Sequence, residues 1–464
     1  MAATIEQVNM TEGALLPKII RFSLPLAATG VLQLLFNAAD VIVVGKFAGA
    51  SALAAVGATT SLINLLVNAF LGISVGVNIL VARYLGCREE EHVRASVHTA
   101  FALSLVLGLI VMVAGLTLST PLLELMKTPE DILPLSSLYL RIYFIGIPGT
   151  IMYNFGAALL RAFGDTKRPM VFLTISGIVN ACLNLFFVIV CHMSVDGVAT
   201  ATVISQYISL FLVIRCLCKS EGLSHLEFKK IRLDMLEAAR MIQIGLPAGL
   251  QSTLFSVSNV LVQSSVNSFG ASVVAANTAA ASIEGFVYTA MNSVFHAAIT
   301  FTSQNLGAGK VERIKKVLTA CLTTVLMIGL PLCLICFLFG RQLLSIYVSS
   351  ADATYEDVIR YGLVRLHRFG SLYFLCGLME VMCGMVRGLG KSWLPMFVTG
   401  VGACLSRIVW IYTIFQIYHT PEMLYWSYPM SWILTLVMHS VCFFAIYHKY
   451  EKPWRAARPQ QPDI

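Results

Sequence analysis

"RAFGDTKRPM" at 161–170 and "RGLGKSWLPM" at 387–396 are two copies of one pattern. Superposed, they align Arg161 with Arg387, Gly164 with Gly390, Pro169 with Pro395 and Met170 with Met396. The match is not isolated. "FSLPLAATG" from 22 resembles "IGLPAGLQS" from 244, with Pro25 opposite Pro247; "GASALAAVG" from 49 resembles "GASVVAANT" from 270; "ARYLGCREE" from 82 resembles "SQNLGAGKV" from 303. The chain therefore repeats itself at a displacement of about 222 residues.

The material around these motifs is apolar: 57% of the residues are hydrophobic and 12% charged. A bilayer core about 30 Å thick needs roughly 20 apolar residues per helix. About twelve stretches meet that need, at 15–44, 52–81, 94–118, 134–160, 168–190, 197–218, 238–267, 273–303, 316–340, 358–386, 393–416 and 427–447. Each half holds six, and an even number inserts both halves in the same orientation. The pattern predicts an all-α integral membrane protein whose two six-helix lobes are related by a parallel repeat, with an axis along the membrane normal. The expected parts are an amino-terminal lobe (1–217), a cytoplasmic linker (218–237), a carboxyl-terminal lobe (238–447) and a cytoplasmic tail (448–464). The linker, "CKSEGLSHLEFKKIRLDMLEAARM" from 218, is expected to include an amphipathic helix on the membrane surface.

A net charge of +8 raises the question of a nucleic-acid partner, and the placement of the basic residues answers it. Of 32 Lys and Arg, 24 fall in the amino terminus, every second loop and the carboxyl tail. That asymmetry is the positive-inside pattern; it places both termini in the cytoplasm and leaves no nucleic-acid face. The segment MAATIEQVNMTEG has no basic stretch leading into a short apolar core, so no cleaved signal peptide is expected. There is no Walker-type phosphate loop and no clustered nucleophile, base and acid, which excludes nucleotide-driven pumping within this chain and argues against an enzyme. The C-x-x-C at Cys333 and Cys336 lies in the apolar run PLCLICFLF and reads as packing rather than a metal or redox centre.

Polar residues inside the spans carry the functional reading, because a charge at the centre of a membrane helix costs roughly 2.5–3.5 kcal/mol. In the first span Gly30, Gln33, Asn37 and Asp40 fall on one face. In the fifth, Ser176, Asn180 and Asn184 recur every fourth residue; in the sixth, Thr202, Ser205 and Ser209 supply hydroxyls. One carboxylate, amides and a hydroxyl suit either a monovalent cation held by oxygens or a proton taken up by Asp40 itself. The repeat places Asn259 opposite Asn37 but Val262 opposite Asp40, so the halves are not chemically equivalent. In the eighth span Glu284 lies near mid-membrane, with Asn277, Ala281, Tyr288 and Asn292 on or near the same face. Glu284, Tyr288 and Asn292 read as a pocket for an organic cation, bound by charge pairing and cation–π attraction; a hydrogen bond between helices is the competing reading. Glu380 and Arg387, seven residues apart, are expected to form a structural ion pair. Arg365, His367 and Arg368 are expected to meet lipid headgroups or Asp352, Glu356 and Asp357, and Arg407 has no assignable partner.

These residues also carry a resemblance. From "IIRFSLPLAATGVLQLLFNAADVIVVGKFAG" through "QNLGAGKVERIKK" to "MVRGLGKSWLPM", the chain resembles the multidrug and toxic compound extrusion (MATE) family over nearly its whole length. The resemblance implies two six-helix lobes around a cavity that opens alternately to either side of the bacterial cytoplasmic membrane. It also implies export of cationic amphipathic compounds by a monomer without a cofactor, in exchange for inward H⁺ or Na⁺. In the bacterial subgroup with an Asp on the first span, the coupling-ion positions match Asp40, Asn180, Asn184 and Thr202, with Gln33 and Asn37 lining the same wall. Where the family carries a second acid, this chain has Asn184. The set then holds a single carboxylate, which balances one monovalent charge, H⁺ or Na⁺. A flippase for lipid-linked oligosaccharides and a passive channel are the alternative functions.

Overall fold

Twelve apolar stretches dictate twelve helical passes, because in hydrocarbon every backbone N–H and C=O must be bonded within its own segment. The computed structural model of the protein describes residues 9–126, 128–348, 354–368 and 370–456. Among them there are helices and turns but no strand. The first six passes are α1 (Leu15–Val43), α2 (Ala50–Cys87), α3 (Glu90–Leu125), α4 (Leu133–Ala162), α5 (Lys167–Leu185) and α6 (Val195–Lys219). The next three are α7 (Met235–Asn267), α8 (Ala271–Gly307) and α9 (Val311–Leu338). A short α10 (Gly340–Ser345) precedes the tenth pass, which is broken into α11 (Tyr355–Arg368) and α12 (Phe374–Gly388) with a bend of 41° between them. The eleventh is also interrupted: α13 (Trp393–Thr399), a π-helical turn (Gly400–Leu405), α14 (Ser406–Tyr412) and α15 (Ile414–Ile417). A single long helix, α16 (Pro421–Ala456), forms the twelfth and takes in the first residues of the expected tail; residues 457–464 lie outside the described residues.

Nine of these helices, or ten with the bent pair counted as one, are long and apolar enough to cross a membrane among the described residues. Those that fall short are α7 and α8, although they have 33 and 37 residues. Their polar side chains, among them Gln251, Ser258, Asn277, Glu284 and Ser293, are buried, so the polarity that lowers their hydropathy is spent on contacts within the protein.

The chain divides into two compact units, Met1–Asn9 with Ala28–Leu250, and Met10–Ala27 with Gln251–Ile464. The boundaries fall inside α1 and α7, close to Pro25 and Pro247. Proline cannot donate the i→i−4 bond, so each helix is weakest where it passes from one unit to the other. Within the first unit the opening turns of α7 lie against α2 through two G-x-x-x-G pairs, Gly72/Gly76 and Gly245/Gly249. A methyl group at Gly72 would meet the Gly249 backbone, and one at Gly76 the carbonyl of Met241. Such small-residue seams let two membrane helices approach to backbone contact. In the second unit, the opening turns of α1 are held by α8 and α9: Phe22 packs edge-on against Phe301 with ring centroids 5.7 Å apart, Asn305 donates to the Met10 carbonyl (3.2 Å), and Arg313 donates to the carbonyls of Glu12 (2.8 Å) and Gly13 (2.6 Å).

The linker is not the expected amphipathic helix. Between Lys219 and Met235 the chain makes only two 3-10 turns, Gly222–Ser224 and Phe228–Lys230. It is pinned to α3 instead. The Glu227 N–H donates to His98 Nε2 (3.2 Å), whose Nδ1 donates to the Arg94 carbonyl (2.7 Å); Thr99 Oγ1 accepts from the Asp234 N–H (3.3 Å) and donates to the Arg232 carbonyl (3.4 Å). Leu226 is buried beneath it. These local bonds to a helix end outweigh a marginal helix of this length. After the linker, Glu237 in the first turn of α7 is buried and accepts from Tyr84 (3.2 Å), Ser96 (3.1 Å) and Arg240 (3.0 Å).

Candidate functional site

In the first unit three helices converge on Asp40. Asn184 Nδ2 on α5 donates to Asp40 Oδ1 on α1 (2.5 Å) and lies 3.3 Å from Asn180 Oδ1; Asn180 Nδ2 in turn donates to Thr202 Oγ1 on α6 (3.4 Å). The four residues expected from the sequence thus form one connected chain of hydrogen bonds. Its backbone setting follows from local sequence. Gly177, on the same α5 face as Asn180 and Asn184, is where the Phe36 ring of α1 sits; a Cβ there would overlap that ring. The missing side chain lets α1 close on α5 one turn before Asp40. Directly beyond the site both helices loosen into π-helical turns, Val44–Ala48 and Phe186–Val190, and the two turns pack against each other. Such turns recur at functional positions because they redirect side chains without ending the helix.

Two features of this cluster bear on its chemistry. Asn180 and Asn184 are buried, while Asp40 and Thr202 are partly exposed. Asn184 Oδ1 is buried and has no hydrogen-bond partner, an acceptor left over after its Nδ2 has been used twice. A buried acceptor without a donor is rare and points to an unseen partner. The Asn184 oxygen lies beside a carboxylate, an amide oxygen and a hydroxyl. Among the described residues no group of three or more His, Cys, Asp or Glu side chains is placed to hold a metal ion. Gln33 and Asn37 lie along the same α1 face but are exposed, and neither bonds to the cluster. Sequence reasoning missed Tyr139 of α4, buried beside Val43, Val44 and Val198 and paired with Tyr143 at 6.1 Å; a lone tyrosine in an apolar span gives no signal of that position.

The second unit answers differently. Glu284 is buried, and Arg365 of α11 grips it: Nη2 donates to Oε2 (2.6 Å), and Nε lies 3.1 and 3.2 Å from the two oxygens. Arg365 Nη1 donates to Asn277 Oδ1 (2.5 Å), Asn277 donates to Gln263 (2.9 Å), and the guanidinium lies over the rings of Tyr425 (5.3 Å) and Tyr428 (5.6 Å). The carboxylate expected to face an organic cation is thus neutralised by a protein cation. Tyr288 and Asn292 are joined to each other, with the amide donating to the phenol oxygen at 3.2 Å, and not to Glu284. Tyr288 is 37% exposed, with its ring 6.4 Å from that of Tyr373.

The other basic residues are also placed differently from expectation. Arg365 turns inward to Glu284; Arg368 pairs with Glu422, Arg341 with Glu356 (2.6 Å) and Arg360 with Asp357 (3.1 Å). Asp352 lies outside the described residues. Glu380 and Arg387 do not form the expected pair. Seven residues on one helix are separated by about 10 Å of rise, beyond direct reach. Arg387 donates instead to Gln251 of α7 and lies over the Phe295 ring at 5.6 Å. Cys333 and Cys336 are buried in the core between α8, α9 and α12.

The MatE family model matches this chain at residues 25–186 and 247–413, one match in each half of the repeat. The probable multidrug resistance protein YoeA of Bacillus subtilis is 27% identical over 94% of this chain and 93% of its own length. The probable multidrug resistance protein YpnP of the same organism is 28% identical over 82% of this chain and 84% of its own. Among solved structures, a MATE protein in complex with MaL6 superposes with a TM-score of 0.88 at 21% identity, covering 97% of this chain and 100% of that one. At that identity the likeness establishes the fold.

Proposed function

The chain belongs to the MatE family of membrane transporters, and from that premise we propose that it is a secondary active antiporter. It exports cationic, amphipathic compounds from the bacterial cytoplasm by alternating access, in exchange for inward H⁺ or Na⁺. Relatives carrying multidrug resistance names support the cargo class. The observation that carries the coupling is the Asp40–Asn184–Asn180–Thr202 chain with its unpartnered Asn184 oxygen. An ion arriving from outside neutralises Asp40 and occupies that oxygen; the charge that opposed closer packing of α1 on α5 is then gone. Since a ligand shifts a two-state equilibrium only by its differential affinity, the coupling ion binds the outward-open state more tightly, and its release inward resets the cycle. The transporter works as a monomer in the cytoplasmic membrane with both termini inside. Its cargo contacts include Tyr288 and Asn292, while Glu284 is held in a structural pair with Arg365.

The test is dye efflux from proteoliposomes under Na⁺ and H⁺ gradients imposed separately. Wild-type protein drives efflux with one of the two, and Asp40→Asn abolishes it while leaving folding and membrane insertion intact. Unchanged gradient-driven transport by that variant sinks the coupling role. Equilibration of dye without any ion gradient, at channel-like rates, replaces the antiporter with a passive pore.

A further inference from the structure

The second unit holds two buried guanidinium groups that share the ring of Tyr428, Arg365 at 5.6 Å and Arg407 at 4.4 Å. Only one is neutralised. Arg365 has Glu284. Arg407, 3% exposed, has neutral partners: Nε donates to Ser431 Oγ (3.0 Å) and Nη1 to Asn259 Oδ1 (3.4 Å). Among the described residues no carboxylate comes within ion-pair distance of it, and Nη2 makes no hydrogen bond. A buried guanidinium without a counter-charge is costly, and more so at membrane depth.

Its position in the repeat sharpens the point. The spacing that aligns Arg161 with Arg387 carries Arg407 onto Ala181, the neighbour of Asn180, and Ser431 onto Ser205; Asn259 already aligns with Asn37. Arg407 also follows a π-helical turn, Gly400–Leu405, and the matching α5 helix has its own π turn beside its site. The same frame of three helices that presents Asp40 in one unit therefore presents Arg407 in the other, with the sign of the charge reversed. Asn259 is exposed, so the group has an approach on that side.

We propose that Arg407, Asn259, Ser431 and the Tyr428 ring form a binding site for a monovalent anionic group. Its source is either the carboxylate of a zwitterionic cargo or a free inorganic anion. With Nη2 and the second N–H of Nη1 unused, the guanidinium offers two parallel donors to a carboxylate and a single-pronged contact to a halide. The cargo arm of this inference rests on the export reading; the free-anion arm does not.

Binding to the purified protein, without any ion gradient, separates the cases. The probes are a zwitterionic rhodamine bearing a free carboxylate and the cationic methyl ester of the same dye, each titrated in chloride and in gluconate. A cargo carboxylate at Arg407 makes the zwitterion bind about tenfold or more tighter than the ester, the factor supplied by one charge-assisted pair, and Arg407→Gln removes the preference. A free anion makes ester binding chloride-dependent in the wild type and independent in Arg407→Gln. Wild-type protein that shows neither preference nor chloride dependence overturns the proposal, as does a preference that survives Arg407→Gln. Should that variant fail to fold, Asn259→Leu at the exposed edge must weaken the same preference, and an unchanged one overturns the proposal equally. Loss of gradient-driven transport with the anion preference intact would count against the export reading and leave the site standing.

Discussion

Replacing Glu284 by Gln tests whether this acid is a structural partner or a cargo ligand. The substitution keeps the volume and removes the charge. In the wild type the carboxylate accepts from Nε through both oxygens and from Nη2 through Oε2. In the variant one oxygen becomes an NH₂ group, a donor set against the donors of the guanidinium, and the remaining amide oxygen offers Arg365 a neutral acceptor in place of the charge, beside Asn277 Oδ1 and the two tyrosine rings. Removing one member of a buried ion pair costs about 3–5 kcal/mol because the other charge stays buried. The range applies here because both side chains are about 5% exposed, so water screens little: 6% for Arg365 and 4% for Glu284. Arg365→Met should cost a similar amount for the same reason, leaving a carboxylate bare. The double variant Glu284→Met with Arg365→Met should recover most of the loss, since two apolar side chains replace a pair whose desolvation had offset its attraction. Reversible unfolding in mixed micelles of all four proteins closes the cycle, and a coupling of about 3 kcal/mol is expected. A coupling under about 1 kcal/mol would refute the pairing argument. Weakened binding of a cationic dye by Glu284→Gln at full stability would return the acid to the cargo pocket.

Three further outcomes follow from the geometry. Asn184→Asp sets a second carboxylate beside Asp40, and two such charges about 4 Å apart repel by about 4 kcal/mol at an effective dielectric near 20; the half-saturating concentration of whichever ion drives efflux, H⁺ or Na⁺, should fall by at least about tenfold, and an unchanged or higher value contradicts the site. Gly72→Val drives a side chain into the Gly249 backbone and should cost about 1–3 kcal/mol or more, seen as a lower detergent melting temperature; a melting curve like the wild type's denies the seam. His98→Ala removes the acceptor that holds the Glu227 N–H, so limited proteolysis should cut within 220–234 several-fold faster, whereas an unchanged rate means that the linker is held by other contacts.

Local composition made some of this readable and left the rest obscure for physical reasons. The first and ninth expected spans, 15–44 and 316–340, overlap α1 and α9 almost completely, because hydropathy is set residue by residue and a membrane helix has no other fold available. The convergence of Asp40, Asn180, Asn184 and Thr202 was legible because helical spacing put each polar residue on one face and the family resemblance named the faces that meet. The partner of Glu284 was not. Residues 81 positions apart on α8 and α11 meet through packing alone, and Arg365 looked like one of a basic cluster at a helix end. The linker misled in another way: its mixture of charged and apolar residues suits an amphipathic helix, but His98 and Thr99 offer its backbone better bonds.

The two halves keep a common frame while dividing its chemistry. Asn37 and Asn259 occupy matching places, but Asp40 faces Val262 in the comparison, and Arg407 arises where the first half has Ala181. If both units had kept an acid at the Asp40 position, each would bind the coupling ion and its arrival would bias both alike. On the proposed reading, an acid at that position in one unit only delivers the free energy of ion binding to α1, α5 and α6. In the second unit one buried acid, Glu284, is neutralised by Arg365, while a second, Glu380, is buried without an ion pair among the described residues. In the proposed cycle the coupling ion acts at the Asp40 cluster, which is flanked by the π turns that follow Val43 and Leu185.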